Sequence, residues 1–172
     1  MKSGIVYTGI PSQEELDACL GIPSPERMAR GRVAVIECVQ GIPCNPCENA
    51  CRFHAIEIGS EITSLPKLHE DICTGCARCV ALCPGQAIVV VQQNFSETEA
   101  TVDFPYEYLP MPVSGMEVDA VNRGGEVVCK GRIVRVTQIR DFAQTAVVSM
   151  AIPKEFVSEV RGMRRLPAEE GI

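Results

Sequence analysis

Short apolar runs rather than long helical periods dominate the middle of the chain. Between residues 32 and 93 there are four such runs, at 32–37, 55–58, 65–70 and 87–91. β-Branched residues are frequent in them, and runs of this length favour strands. A polar loop and a short helix separate the members of each pair. We therefore expect two halves, each built as strand, loop, short helix, strand.

The second half of the chain shows a two-residue alternation. It is clearest at 116–121, and a turn signal rich in glycine follows at 122–125. Further β-prone runs lie at 126–129, 133–139 and 145–150. These runs predict a small antiparallel meander or a partly closed barrel. Pro153 is expected to open a C-terminal helix, with Gly162 at its end.

Local sequence patterns also predict secondary structure in residues 1–31 and 94–115. Residues 5–8 are β-prone, Ser12 with Glu15 forms a capping-box pattern, and Ser24 precedes a helix that starts at Pro25. Residues 94–115 are rich in proline, with a possible strand at 100–104. The sequence thus predicts an N-terminal extension with short helices (1–31), a central domain (32–93), a connector (94–115) and a small β domain with a terminal helix (116–172).

The strongest chemical signal is a run of four cysteines in the central segment. Cys73, Cys76, Cys79 and Cys83 follow one another at spacings x2, x2 and x3, and Pro84 follows the last. This spacing is the bacterial iron–sulfur signature, in which the fourth cysteine of a two-cluster protein binds the other cluster. The run therefore predicts a second run elsewhere in the chain.

The second run lies upstream and repeats the first. Cys44, Cys47 and Cys51 align with Cys76, Cys79 and Cys83 at an offset of 32 residues. The position that matches Cys73 is Gly41, and a cysteine instead stands three residues earlier, at Cys38. This is an internal repeat with a loop insertion in one copy.

With both runs in view, residues 32–93 resemble a bacterial-type ferredoxin that carries two [4Fe–4S] clusters. The resemblance implies an α+β ferredoxin-like fold with pseudo-twofold symmetry, to which the small antiparallel β domain is added. It also implies a crossed ligand pattern. One cluster takes Cys38, Cys44, Cys47 and Cys83, and the other takes Cys51, Cys73, Cys76 and Cys79.

The chain departs from this family at two positions. The gap after Cys38 is x5 instead of x2, and without Cys38 the site would hold a three-iron cluster or one with a labile iron. Arg52 stands where the family usually has proline. Since a cation beside a cluster favours its more negative, reduced state, we expect Arg52 to raise the potential of the cluster bound by Cys51.

Other chemistry fits the cysteines less well. Structural zinc usually takes two cysteine pairs across a longer loop, and cysteines three apart on a tight loop are poorly placed for disulfides. His54 either ligates iron or donates a hydrogen bond to a cluster sulfur, or it is a partly exposed helix residue. So short a segment gathers little apolar core, so we expect residues 32–93 not to fold without iron and sulfide.

Composition and charge limit the partners and the cellular compartment that we expect for this chain. The net charge of −6 argues against nucleic acid as a partner. No apolar run approaches the roughly 20 residues of a membrane helix, and the N-terminal apolar segment is too short for a secretory signal. We therefore expect a cytoplasmic protein with no membrane span. In that compartment the ten cysteines indicate metal or redox chemistry.

The expected function is electron transfer. There is no glycine-rich nucleotide loop and no acid–base or nucleophile pattern, so the chain itself is not expected to be an enzyme. By analogy with other ferredoxin-like chains, we expect an iron–sulfur subunit of an anaerobic, flavin-dependent oxidoreductase or dehydrogenase complex, with flavoprotein subunits as redox partners. The alternatives are a free-standing ferredoxin with accessory domains and a structural or sensor iron–sulfur protein.

Overall fold

Antiparallel strands form the framework of the protein. The computed structural model describes residues 2–167, and within them it contains a seven-stranded sheet in the order β1-β4-β5-β8-β7-β6-β9 and a two-stranded sheet formed by β2 and β3. The strands are β1 (Val33–Ile36), β2 (Ile56–Glu57), β3 (Lys67–Leu68), β4 (Ile88–Gln92), β5 (Glu99–Tyr106), β6 (Glu117–Val121), β7 (Val127–Thr137), β8 (Ala146–Pro153) and β9 (Gly162–Met163).

Among the described residues, three short helices precede β1, and two more lie between strands of the cysteine-bearing segment. They are α1 (Ile5–Thr8), α2 (Gln13–Asp17), α3 (Pro25–Arg30), α4 (Pro46–Ala50) and α5 (Arg78–Leu82), with 3-10 turns at Glu70–Ile72, Arg140–Phe142 and Lys154–Phe156. The capping box of α2 is confirmed, because the Glu15 N–H donates to the Ser12 hydroxyl and the Ser12 N–H to the Glu15 carboxylate. Helices combined with antiparallel sheet confirm the α+β class.

The predicted cluster segment contributes two antiparallel pairs. β1 pairs with β4 (Val35 opposite Val89), and β2 pairs with β3 (Ile56 opposite Leu68). β1, β2 and β3 lie within the runs expected from the sequence, and β4 extends one residue beyond its run. The pseudo-twofold relation between the halves stays a prediction.

β5 lies between β4 and β8 inside the large sheet and joins the two halves of the chain. The possible strand at 100–104 is confirmed as part of β5, which pairs with β4 through Asp103 and Val90 and with β8 through Val102 and Met150. Since the residues of β4 and β8 are almost all buried, both faces of this central part are covered. One sheet therefore runs from the cysteine-bearing segment into the C-terminal strands.

Two predicted elements are wrong. Residues 5–8 form α1 instead of a strand, because the Glu15 carboxylate accepts the Ile5 N–H at 3.0 Å and helps to hold the start of a helical turn. The helix expected from Pro153 does not form. β8 continues to Pro153, a 3-10 turn follows, and the Arg161 N–H then donates to the Val121 carbonyl at 2.9 Å, which draws the chain back to the sheet.

The predicted strands at 126–129 and 133–139 form one element, β7. Gly131 lies inside it, directly against β8, and a Cβ at this position would come within 2.5 Å of the Met150 sulfur. The glycine therefore permits close packing of the two strands instead of ending the first one.

Candidate iron–sulfur cluster sites

Four cysteines that are distant in sequence surround one small cavity, which we call site 1. Its cysteines are Cys38, Cys44, Cys47 and Cys83. Cys38 follows β1, Cys44 lies in the loop just before α4, Cys47 lies in the first turn of α4, and Cys83 caps the end of α5. Site 1 therefore combines three cysteines of the upstream run with the last cysteine of the downstream run.

The remaining four cysteines of the two runs surround a second cavity, site 2. They are Cys51, Cys73, Cys76 and Cys79. Two backbone amides point at their sulfurs: the Ala34 N–H donates to Cys73 Sγ at 3.5 Å, and the Ala55 N–H donates to Cys51 Sγ at 3.2 Å. Such hydrogen bonds stabilise thiolate and cluster charge, and they are one means of setting a cluster's potential.

The two sites are neighbours. α4, which carries Cys47 of site 1, packs against α5, which carries Cys79 of site 2. Burial raises the pKa of Cys79, and the charges of surrounding cysteines, Cys47 among them, raise it further. Burial likewise raises the pKa of Cys47 to about 11, with Cys83 adding to the effect. Both thiols are therefore protonated at neutral pH until a metal displaces the protons.

The donor chemistry of both sites fits a [4Fe–4S] cluster. Four cysteines are available at each site, and all ten cysteines of the chain are free of disulfides. Within residues 2–167, no three His, Cys, Asp or Glu side chains are close enough to hold a single metal ion. A cubane does not require such convergence, because each of its four irons takes its own thiolate.

Two further cysteines and one histidine lie outside both cavities. Cys19 donates weakly to the Cys38 carbonyl at 3.7 Å, and Cys129 lies on β7. His54 is exposed and lines neither cavity, but it follows a turn after α4 and has a φ of +53°, so the expected helical position is wrong. Of the ten cysteines, the eight predicted ligands are thus the ones that the structure brings together.

The loop between Cys73 and Cys76 is held by the sheet and by α3. Gly75 has a φ of +64°, and a Cβ at this position would lie 2.5 Å from Cβ of Arg32. The Arg32 guanidinium donates to the Gly75 carbonyl at 3.1 Å and is also paired with buried Asp103 of β5. A side chain other than hydrogen at residue 75 would therefore displace the chain that supports the loop.

Arg27 supports the same loop from the other side. Its side chain is buried and donates to the Glu70 carbonyl at 2.8 Å and to the Cys73 carbonyl at 2.6 Å. A buried guanidinium that fills its hydrogen bonds with backbone carbonyls fixes the path of the loop. The position of Cys73 therefore depends on α3, which lies before the cysteine runs.

The arginine selected from the sequence is not the one nearest site 2. Arg52 has a side chain that is 64% exposed, and it pairs with Asp141 at 2.8 Å. Arg78 is only 19% exposed, lines site 2, pairs with the same Asp141 at 2.6 Å and donates to the Ala50 carbonyl. Sequence reasoning missed Arg78, although its place between Cys76 and Cys79 was a usable signal. Asp141 carried no such signal.

Site 1 has charged neighbours of its own. Glu37, the residue before Cys38, is buried and is held by Arg123 at 2.5 Å and by Arg161 at 2.6 Å. Burial alone would raise the pKa of Glu37, but the hydrogen bonds from Arg123 and Arg161 hold it below its ordinary value. The three side chains therefore stay ionised and carry a net charge of +1.

Comparison with known families agrees with this geometry. Residues 37–87 match the family described as the 4Fe-4S dicluster domain. This segment is therefore an iron–sulfur segment of ferredoxin type, and its match indicates binding of [4Fe–4S] clusters and electron transfer. No curated protein matches the chain, and no solved structure matches it either.

The helices of the described part are short. Among residues 2–167, none has the length and apolar character needed to cross a membrane.

Proposed function

We propose that the protein relays single electrons through two [4Fe–4S] clusters, one at each site. Site 1 would be held by Cys38, Cys44, Cys47 and Cys83, and site 2 by Cys51, Cys73, Cys76 and Cys79. The observation that carries the proposal is the grouping of these cysteines around two separate cavities, each drawing on both sequence runs. A bound cluster supplies one-electron chemistry, and the chain supplies thiolates, amide donors and neighbouring charges.

The contact between α4 and α5 supports a relay between the sites. Cys47 of site 1 lies on α4, and Cys79 of site 2 lies on α5. Electrons would therefore cross a short, mostly buried region between two clusters.

Cys38 is proposed as the fourth ligand of site 1 despite its irregular spacing. It lines the same cavity as Cys44, Cys47 and Cys83, and it directly follows β1. The inserted residues 39–43 form the loop that leads from the strand to Cys44. The insertion thus lengthens the loop while Cys38 stays beside the other three cysteines.

We infer that the chain serves as a subunit of a flavin-dependent oxidoreductase complex and has no catalytic site of its own. The support is the length of chain outside the matched segment, together with analogy to other ferredoxin-like subunits. Ten free cysteines suit a reducing, cytoplasmic and anaerobic setting. A free-standing carrier and a structural or sensor protein are the alternatives that the experiment must separate.

The test is anaerobic purification from the native host with iron and sulfide analysis. The proposal expects about eight irons per chain and flavoprotein bands in the same fraction. A loaded protein that elutes alone would support the free carrier instead. Clusters that stay oxidised under strong reductant would support a structural role, and about four irons or stoichiometric zinc would contradict the two-cluster proposal.

A further inference from the structure

A third cavity lies beside site 1 and has a different character. We call it the arginine cavity. Its volume is about 370 Å³, within the range of roughly 300–1,000 Å³ that is common for small-molecule pockets. Three parts of the chain form its wall: the N-terminal segment around α1, the loops that carry the site 1 cysteines, and the turn after β6 together with the start of β9. Three of its lining residues are cysteines of site 1, and the other lining residues have no part in holding a cluster.

One end of the cavity is cationic. Arg123 and Arg161 both line it, and Glu37 between them balances only one of the two charges. Arg161 uses its donors on Glu37 and on the carbonyls of Val157 and Val160. Arg123 donates through Nε and Nη2, and within residues 2–167 its Nη1 has no hydrogen-bond partner. Arg123 is therefore the side chain that can bind an anion.

The rest of the wall is largely apolar. Its apolar side chains include those of Ile5, Val35, Ile42, Val89 and Val121. Gln40, Gln86 and Asn122 add uncharged polar groups. A space with one cationic end and apolar sides fits a ligand with an aromatic body and one anionic group. The N–H groups of Arg123 Nη1 can donate to the oxygens of a phosphate, because Nε and Nη2 are already engaged by Glu37 and Ser158.

The cavity also opens onto site 1. Cys38, Cys44 and Cys83 line both spaces, so a ligand in the arginine cavity would lie directly against the cluster that these cysteines hold. We propose that the arginine cavity is a binding site for a flavin-sized aromatic phosphate, with Arg123 on the phosphate and the ring beside site 1. This inference rests on the proposed function only for the presence of the cluster next to the ligand.

The experiment compares two flavins that differ only in a phosphate. Anaerobically purified, cluster-loaded and flavin-free protein is dialysed against flavin mononucleotide or riboflavin, and the free flavin is measured by absorbance in the outer compartment. The proposal expects flavin mononucleotide to bind at least about tenfold more tightly than riboflavin, the usual effect of one charge-assisted hydrogen-bonded pair. Equal affinities, or no binding at millimolar concentration, would overturn it.

Two variants test whether the preference for flavin mononucleotide depends on Arg123. Arg123→Gln should bring the two affinities to within about twofold of each other, whereas Glu37 keeps its partner Arg161. Arg132→Gln is the matched control, because Arg132 is an exposed arginine on β7 that pairs with Glu99 away from the cavity. If both variants lost the preference for flavin mononucleotide to the same extent, the proposed contact of Arg123 with the phosphate would be contradicted.

Iron analysis of the same samples separates the two proposals. About eight irons per chain with no preference for flavin mononucleotide would refute the flavin site and leave the relay intact. A low iron content in wild-type protein would refute the relay itself. Bound flavin mononucleotide should also perturb the paramagnetic resonance of one cluster, that of site 1, and an unchanged spectrum would place the ligand elsewhere.

Discussion

At the residue scale, the least regular ligand is Cys38. It stands six residues before Cys44, yet it lines site 1 together with Cys44, Cys47 and Cys83. Cys38→Ser should therefore remove one thiolate from site 1 and leave a three-iron cluster, lowering the iron content from about eight to about seven per chain. Paramagnetic resonance of the oxidised variant checks this, since a three-iron cluster is visible in that state.

Cys129→Ser is the matched control for that change. Cys129 is also half-buried but lies on β7, outside both sites. The control should keep the full iron content and the wild-type spectrum. A Cys38→Ser variant with the same iron content as the control would mean that Cys38 is not a ligand.

The second residue-scale prediction concerns Asp141, which pairs with both Arg52 and Arg78 beside site 2. Asp141→Asn removes a negative charge and leaves two cations uncompensated, so the reduced cluster is stabilised. We expect the potential of the site 2 cluster to rise by tens of millivolts, the order of magnitude for a charge at this kind of distance. Redox titration followed by paramagnetic resonance measures it.

The two arginines provide the comparison. Arg78→Gln should lower the potential of site 2 more than Arg52→Gln, because Arg78 lines the site and Arg52 is mostly exposed to solvent. Equal shifts would show that position relative to the site does not matter. A larger shift for Arg52→Gln would restore the interpretation made from the sequence.

At the scale of elements, the loop from Cys73 to Cys76 is the most constrained. Gly75 combines a positive φ with close contact to Arg32, just before β1. Gly75→Ala should destabilise the loaded protein by about 1–3 kcal/mol and lower its Tm by several degrees. The loss of cluster absorbance on heating gives the measurement.

Gly85→Ala is the control, since a Cβ at residue 85 meets nothing within 4 Å. Its Tm should stay within about a degree of wild type. A Gly75→Ala variant as stable as this control would mean that the loop tolerates a side chain and that Arg32 moves without cost.

The elements also show what sequence could and could not predict. The grouping of eight cysteines into two sets could be predicted because the two runs repeat and the spacing defines which cysteine crosses over. The strand assignment at 5–8 failed because a single distant contact, Ile5 with Glu15, outweighs the local β-propensity. The C-terminal helix failed because the sheet takes up the backbone around residue 161.

Ion pairs between distant segments could not be predicted from the sequence. Arg32 pairs with Asp103, and Glu37 pairs with Arg123 and Arg161, across separations that no local pattern encodes. The continuity of the sheet through β5 was equally hidden, since its strand signal lay inside a segment rich in proline. These contacts depend on tertiary structure, which single-sequence periodicity does not describe.

At the scale of the whole molecule, the large sheet contributes core residues that lie outside the two cluster sites. Phe104, Ile133, Met150 and Ile152 are fully buried, and they come from β5, β7 and β8. The sequence alone predicts that residues 32–93 need iron and sulfide to fold. With β1 and β4 in the same sheet as β5 and β8, removal of iron is expected to unfold only part of the protein.

Chelation of iron followed by amide hydrogen exchange tests this. Residues 38–83 should exchange much faster after chelation, because cluster bonds hold their loops, whereas β5 and β8 should stay protected. Loss of protection throughout the chain would show that the sheet depends on the clusters. Unchanged protection of residues 38–83 would show that the loops hold their structure without metal.

The relay between two adjacent clusters is tested most directly by paramagnetic resonance of the fully reduced protein. The account predicts signals that integrate to about two spins per chain, with the line broadening of two clusters that interact across the α4–α5 contact. A single sharp signal of about one spin per chain would contradict it, because only one site would then carry an electron.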